Sequence, residues 1–258
     1  MEDTKKDLYK AITTLNKVSD RIHVTNIDRE FEARLEGAGQ GTLYEIRALA
    51  YKYSVPMRFR GRVWKILLGY MPLERAEQDA VLQSKREAYF SLVQSLEDAT
   101  SGNGKGLTPA QTVVLKDIEA DLPRTFLNGF EGACMQRSVQ EFIKRPLLLW
   151  GINNEMGYYQ GMMDLIYTLF YAFVAEHESI NGDVRALREL RVEALDGAFL
   201  RNVEADLYHC FGCLIKFYEV NSSSAPYFLC YLMMFFVCLF RTLLDQISWL
   251  ECIGTWMN

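Results

Sequence analysis

Between Met162 and Val174 the apolar residues Met162, Leu165, Ile166, Leu169, Phe170, Phe173 and Val174 recur at helical spacing without a miss. A stripe of that period can be buried only as a helix, because a strand would throw its members alternately to opposite faces. The same period returns in Tyr89, Leu92 and Val93 within the charged stretch from Glu74 to Leu96, and in Val113, Val114, Leu115, Ile118 and Leu122. Leu43 to Tyr53 reads as a short helix, and the Leu147–Ile152 run closes another before Asn153 and Asn154. No segment alternates apolar and polar residues convincingly enough to be a strand. The expected fold class is all-α. With only 6 prolines and 17 glycines in 258 residues, long helices are not interrupted.

Breakers and caps set the expected boundaries. Gly37, Gly39 and Gly41 form a loop between a polar N-terminal segment and the helical body. The domain division is accordingly an extension over residues 1–44 and one large domain over 45–258. In the segment Arg58 to Pro72, Trp64, Leu67 and Leu68 share a helical face, Gly69 is a natural C-terminal cap and Pro72 a stop. Arg58, Arg60, Arg62 and Lys65 read as a solvated basic edge beside that face. Pro123 should end its helix at Asp121 or Leu122, since the residue before a proline avoids the helical region. Arg124 then projects from a loop just past a helix end. Residues 176–200 are charged and include an exposed loop, with apolar helices resuming from Ala205 and broken at Ser222–Pro226. Ser248 and Glu251 make a capping box for a last helix carrying Trp249, Ile253 and Trp256.

Several function classes are excluded or disfavoured. A net charge of -5 argues against a general nucleic-acid binder, which needs a basic face to neutralise phosphates. His23, His177 and His209 have no partner at metal-ligand or catalytic spacing, so no metal site is expected. The loop Thr100 to Gly106 lacks P-loop spacing and no strand precedes it. Cys210 and Cys213 form a C-x-x-C without a second pair or a βαβ context, and read as helix thiols facing the core. The charged N-terminus is not a signal peptide, and the six cysteines read as reduced intracellular thiols. The apolar run Tyr227 to Phe240 is shorter than the roughly 20 residues a membrane helix needs. It reads as a helix buried on all sides.

Two polar residues remain where chemistry could use them. Arg124 leaves its helix end with Asp121 close enough to orient the guanidinium. Gln160 stands between Gly157 and Gly161 at the start of the Met162 helix, where backbone amides favour an anion. Taken singly, a salt bridge explains the first and a capping amide the second.

The two together resemble a known pair. Ile118-x-x-Asp121-x-x-Arg124 followed by Tyr158-x-Gln160-Gly161-Met162 is similar to the catalytic motifs of the TBC domain. The upstream segment from Arg60 through Trp64 to Gly69 resembles the opening of that domain. Asp164-Leu165, Glu204-x-Asp206-x-Tyr208-His209-Cys210-Phe211 and Ser248-Trp249-Leu250-Glu251 running to Trp256 resemble its later motifs. The likeness spans roughly Val55 to Trp256. It implies a helical two-lobed domain that binds a Rab-family small GTPase in the GTP state and speeds hydrolysis by a dual-finger mechanism. Arg124 would be the arginine finger and Gln160 the glutamine that orients the attacking water. Ile118 and Asp121 would aim the arginine loop, Tyr158 and Gly161 would shape the glutamine loop and touch the partner, and Trp64 would be structural. The resemblance implies no cofactor of its own, since the partner carries GTP and Mg. It also implies a cytoplasmic protein that meets membranes only indirectly, recruited through its GTPase. Met163, Gly254 and Met257 depart from the usual pattern, and family members continue for several helices beyond the position of Trp256. The C-terminal lobe is therefore expected to be incomplete, which leaves open a catalytically weak or inert scaffold that binds a GTPase or another partner.

Overall fold

The computed structural model describes residues 26–36, 42–101, 104 and 106–222, with side chains up to residue 216. Among the described residues the elements are helical and none is a strand. The expected helices at Tyr227–Phe240 and Ser248–Trp256 and the loop at Gly37–Gly41 lie outside them. The described residues divide into two compact units, those up to Phe59 together with 216–222, and those from Arg60 to Ile215.

In the first unit α1 (Ile27–Glu36) packs on α2 (Leu43–Tyr53). The start of α2 is set by a capping box. The Glu45 N–H donates to Thr42 Oγ1 at 3.2 Å, and the Thr42 N–H donates to Glu45 Oε2 at 2.9 Å. This satisfies two amides that a helix start otherwise leaves unpaired. Phe31, Leu35, Ile46, Leu49 and Val55 are buried, and Phe31 stacks on Phe59 with ring centroids 6.3 Å apart.

Helix α3 (Met57–Leu67) crosses from the first unit's residues into the second's. In the second unit α4 (Arg75–Thr100), α5 (Pro109–Asp121), α6 (Glu131–Cys134), α7 (Arg137–Asn153), α8 (Met162–Val174), α9 (Val184–Arg188) and α10 (Gly197–Ser222) follow in order. Helix α7 is the hub, packing against α4, α5, α6 and α8. It buries Val139, Ile143, Leu147 and Leu149, while α8 buries Met163, Ile166, Phe170 and Phe173. Tyr89 and Val93 of α4 join Leu149 and Ala205 in one apolar cluster. Pro109 occupies the first position of α5 behind a Thr108–Gln111 capping box, where a missing N–H costs nothing.

The structure corrects sequence expectations for α3, for α5 and for the start of α10. The basic edge of α3 is solvated only in part: Arg58 and Arg62 are half-buried, while Arg60 is 2% and Lys65 7% exposed. Lys65 Nζ reaches Glu176 Oε2 at 2.8 Å and Asp206 Oδ2 at 3.1 Å, so its charge is neutralised inside the unit. Asp206 also accepts two bonds from Arg86, at 2.8 and 2.9 Å, and one from the Tyr70 hydroxyl at 2.7 Å. The buried apolar face of α3 is Val63, Trp64 and Ile66, with Leu67 and Leu68 only half-buried. Val113 does not share the α5 stripe but lies open to solvent. Five residues separate it from Ile118, which at 100° per residue places it about 140° around the helix. The stretch 176–200 includes the expected exposed loop, with Glu178, Ser179 and Asn181 open to solvent, and it also holds α9 and a 3₁₀ turn at Val192–Ala194 and buries Leu187, Leu190 and Val192. Helix α10 starts at Gly197, before Ala205, because Asp196 Oδ1 accepts the Phe199 N–H at 2.7 Å and fixes the helix start there.

Candidate functional site

Helix α5 stops at Asp121, and Leu122 still bonds back to the Ile118 carbonyl at 3.0 Å. The chain then turns tightly, the N–H groups of Arg124 and Thr125 both donating to the Asp121 carbonyl at 3.1 and 3.0 Å. Ile118 is fully buried and anchors this helix end. Gln140 of α7 supports the turn by donating from Nε2 to the Leu122 carbonyl at 3.2 Å. The turn holds Arg124 outward, with 61% of its side chain exposed.

Asp121 faces the other way. It is 4% exposed, and its Oδ1 accepts Arg124 Nε at 2.7 Å and also Arg124 Nη2. One edge of the guanidinium fork is thus fixed by the carboxylate, while its other N–H donors point to solvent.

The second loop follows α7. The Gly157 N–H closes a turn onto the Asn154 carbonyl at 3.1 Å, and Gly161 adopts φ +95° immediately before α8. That left-handed backbone is open to glycine at little cost, and it lets the chain enter α8 while Gln160 stays exposed. No side chain caps the N-terminus of α8.

Asp121 joins the two loops. Its Oδ2 accepts the Tyr158 hydroxyl at 2.5 Å, so the carboxylate carries Arg124 on one oxygen and Tyr158 on the other. Burial, and then the bond to Asp121, push the Tyr158 hydroxyl well above its ordinary titration range, so it stays a donor. Asp164, in the first turn of α8, is raised above the usual carboxylate range by burial and by the negative charge of Asp121. Gly151 allows the close approach of this region to α5, since a Cβ there would meet Val114 Cγ1 at 2.8 Å and Tyr158 Cβ at 3.7 Å.

The structure therefore places Ile118 and Asp121 at the end of α5, Arg124 in the turn after it, and Tyr158, Gln160 and Gly161 in the loop before α8, the two segments joined by the Tyr158–Asp121 bond. Trp64 belongs to the α3 core face and is 1% exposed. Cys210 is buried and Cys213 half-buried on α10. Among the described residues no cluster of His, Cys, Asp and Glu could hold a metal ion. No helix among them is long and apolar enough to cross a membrane. Sequence reasoning did not find the Tyr158–Asp121 bond, because its partners stand 37 positions apart. It likewise missed Gln140, a polar residue with no motif around it.

The chain belongs to the Rab-GTPase-TBC domain family, whose model matches residues 57–248. It is 29% identical over 226 residues to TBC1 domain family member 22A of Mus musculus, covering 84% of this chain and 41% of that protein. It is 31% identical over 184 residues to TBC1 domain family member 22B of Homo sapiens, covering 71% and 34%. The GTPase-activating protein GYP1 of Saccharomyces cerevisiae is 30% identical over 175 residues, covering 67% and 26%. The solved Ypt/Rab-GAP domain of Gyp1p superposes with a TM-score of 0.65 at 25% identity, covering 76% of this chain and 59% of that one. The chain thus spans well under half the length of each of these curated relatives.

Proposed function

We propose that this chain accelerates GTP hydrolysis by a Rab-type small GTPase, lending Arg124 and Gln160 to the partner's nucleotide site. The observation that carries the reading is the shared carboxylate of Asp121. It binds the arginine loop through Arg124 and the glutamine loop through Tyr158, and so presents two exposed side chains as one unit. A salt bridge alone would not call for a second loop on the same carboxylate.

In this reading the solvent-facing N–H donors of Arg124 meet the negative charge that develops on the transferring phosphoryl group. An arginine supplied in this way speeds hydrolysis roughly 10³- to 10⁵-fold, because it acts in a site from which water is excluded. The Gln160 amide holds the attacking water, accepting from it through oxygen while the N–H₂ donates toward the phosphate. The GTPase, in its GTP state, carries the nucleotide and Mg, and the chain needs no cofactor of its own. It is an activator that completes another protein's active site, rather than an enzyme with a substrate pocket. It acts in the cytoplasm and reaches membranes through its GTPase. The names of the yeast relative and of the matched solved domain support the reading.

The test is phosphate release from a panel of GTP-loaded Rab GTPases, with and without the chain and its Arg124→Lys variant. Lysine keeps the charge but loses the planar fork and the second bond to Asp121. Strong stimulation by the parent and little by the variant is expected. Equal stimulation by both would overturn the assignment of Arg124.

A further inference from the structure

Among the described residues the large hydrophobic side chains left open to solvent are Leu43, Val113, Phe126, Met135, Tyr159 and Val184. Single exposed apolar residues are ordinary on any protein surface and need no explanation. The aromatic members of this set are different. They are Phe126, 49% exposed, and Tyr159, 58% exposed. Phe126 stands two residues after Arg124, and Tyr159 stands immediately before Gln160. The backbone is held at Tyr159 and, beside Phe126, at Thr125, whose N–H donates to the Asp121 carbonyl at 3.0 Å. The Arg124 turn closes on the Asp121 carbonyl, and the Tyr159 carbonyl accepts the Met162 N–H at 3.1 Å at the entry to α8. The Asp121 carboxylate ties the two loops together through Arg124 and Tyr158, the immediate neighbour of Tyr159.

We infer that Phe126 and Tyr159 form an aromatic rim around the two fingers that seats an apolar patch of the GTPase beside its nucleotide pocket. The inference rests on the GTPase-activating reading of the site. A side chain can touch a bound phosphate only if the surface around that phosphate comes into contact with the loop carrying the side chain. Two residues of chain reach at most about 7 Å, so both rings fall within any footprint that admits Arg124 and Gln160. A standard interface covers about 800 Å² on each partner and is enriched in aromatic residues at its buried centre. Rings already placed at the surface on anchored turns lose little freedom on binding, which favours them as anchors. Neither ring carries a group that can stabilise charge on phosphorus. They therefore act on association, and not on the chemical step.

That division sets the experiment. Steady-state stimulation of a responsive GTP-loaded Rab is measured with the 258-residue chain and with Phe126→Ala, Tyr159→Ala and Tyr159→Phe. Binding of each to the same Rab loaded with GDP and aluminium fluoride is measured alongside. Each alanine variant is expected to raise KM and the dissociation constant about tenfold, the loss typical of an interface anchor. The kcat should stay within about twofold, as when an interaction shared by ground and transition states is removed. Tyr159→Phe keeps the ring and should bind like the parent. Because both rings are exposed, thermal unfolding of the variants should match the parent. An unchanged KM in both alanine variants, or a fall in kcat alone, would overturn the rim while leaving the function intact. Binding weakened by the alanines in a chain that stimulates nothing would uphold the rim and overturn the catalytic reading. A parent that neither binds nor stimulates any Rab would overturn both.

Discussion

Replacing Tyr158 by phenylalanine removes one oxygen and tests whether the two loops act as a unit. The lost hydroxyl donates to Asp121 Oδ2 at 2.5 Å, and Asp121 is 4% exposed. Arg124 remains on Oδ1, so Oδ2 is left buried without this donor. A hydrogen bond to a charged group contributes roughly 1.5–3 kcal/mol. For a chain of this size that lowers the melting midpoint by about 3–12 °C. If the bond also holds Gln160 in register with Arg124, the same free energy appears in the chemical step. Then kcat for stimulated hydrolysis falls about tenfold to a hundredfold. Differential scanning fluorimetry and single-turnover phosphate release measure the two losses separately. Combined with Arg124→Ala, the second substitution should cost less than it does alone, because both groups share one carboxylate. A Tyr158→Phe variant that melts and stimulates like the parent would refute the coupling of the loops through Asp121.

Other perturbations follow from the buried charges. Asp206→Ala should destabilise the chain by roughly 3–5 kcal/mol in urea titrations, since it deprives Lys65, Arg86 and Tyr70 of a common buried partner. A loss under about 1 kcal/mol would show that water or Glu176 replaces it. Asp206 itself is held below the usual carboxylate range by Lys65 and Arg86 despite the opposing effect of burial. A depressed carboxylate stabilises the fold above its ordinary value near 4 and loses that contribution as pH falls through the lower folded value. The chain should therefore unfold in acid with a midpoint that Asp206→Asn displaces. His209 is pushed below its ordinary value near 6.5 by burial, with its Nε2–H donating to the Lys85 carbonyl at 2.7 Å. Its neutral form favours folding, so stability should decline as pH drops below about 6.5, and less so in His209→Asn. Identical pH profiles for the parent and that variant would remove His209 from the explanation.

Local signals in the sequence carried much of this fold. The stripe from Met162 to Val174 became α8, Leu43–Tyr53 became α2, and α5 ends at Asp121 where Pro123 placed it, although Leu122 before the proline keeps helical dihedrals. The glycines at 157 and 161 marked the loop that exposes Gln160, because left-handed backbone is rarely open to other residues. What stayed hidden depends on distant partners. Lys65 looked like a solvated lysine because Glu176, which buries its charge, stands 111 positions away. Tyr158 reads in the sequence as a residue that shapes the glutamine loop and touches the partner, and only the folded chain shows it bonded to Asp121. Val113 belongs to the apolar run of α5 but stands about 140° around the helix from Ile118, which leaves it open to solvent. The Thr108–Gln111 capping box was present as a local pattern and passed unread.

The most direct measurement uses a Rab whose own catalytic glutamine has been replaced by leucine. A responsive GTPase is loaded with GTP in parent and leucine forms, and phosphate release is followed with this chain and with Gln160→Ala. If Gln160 supplies the water-orienting amide, the parent chain stimulates both forms and Gln160→Ala stimulates neither. Stimulation of the unmodified Rab alone, unchanged by Gln160→Ala, would mean that the GTPase supplies its own glutamine. The paired fingers proposed here would then reduce to Arg124 by itself.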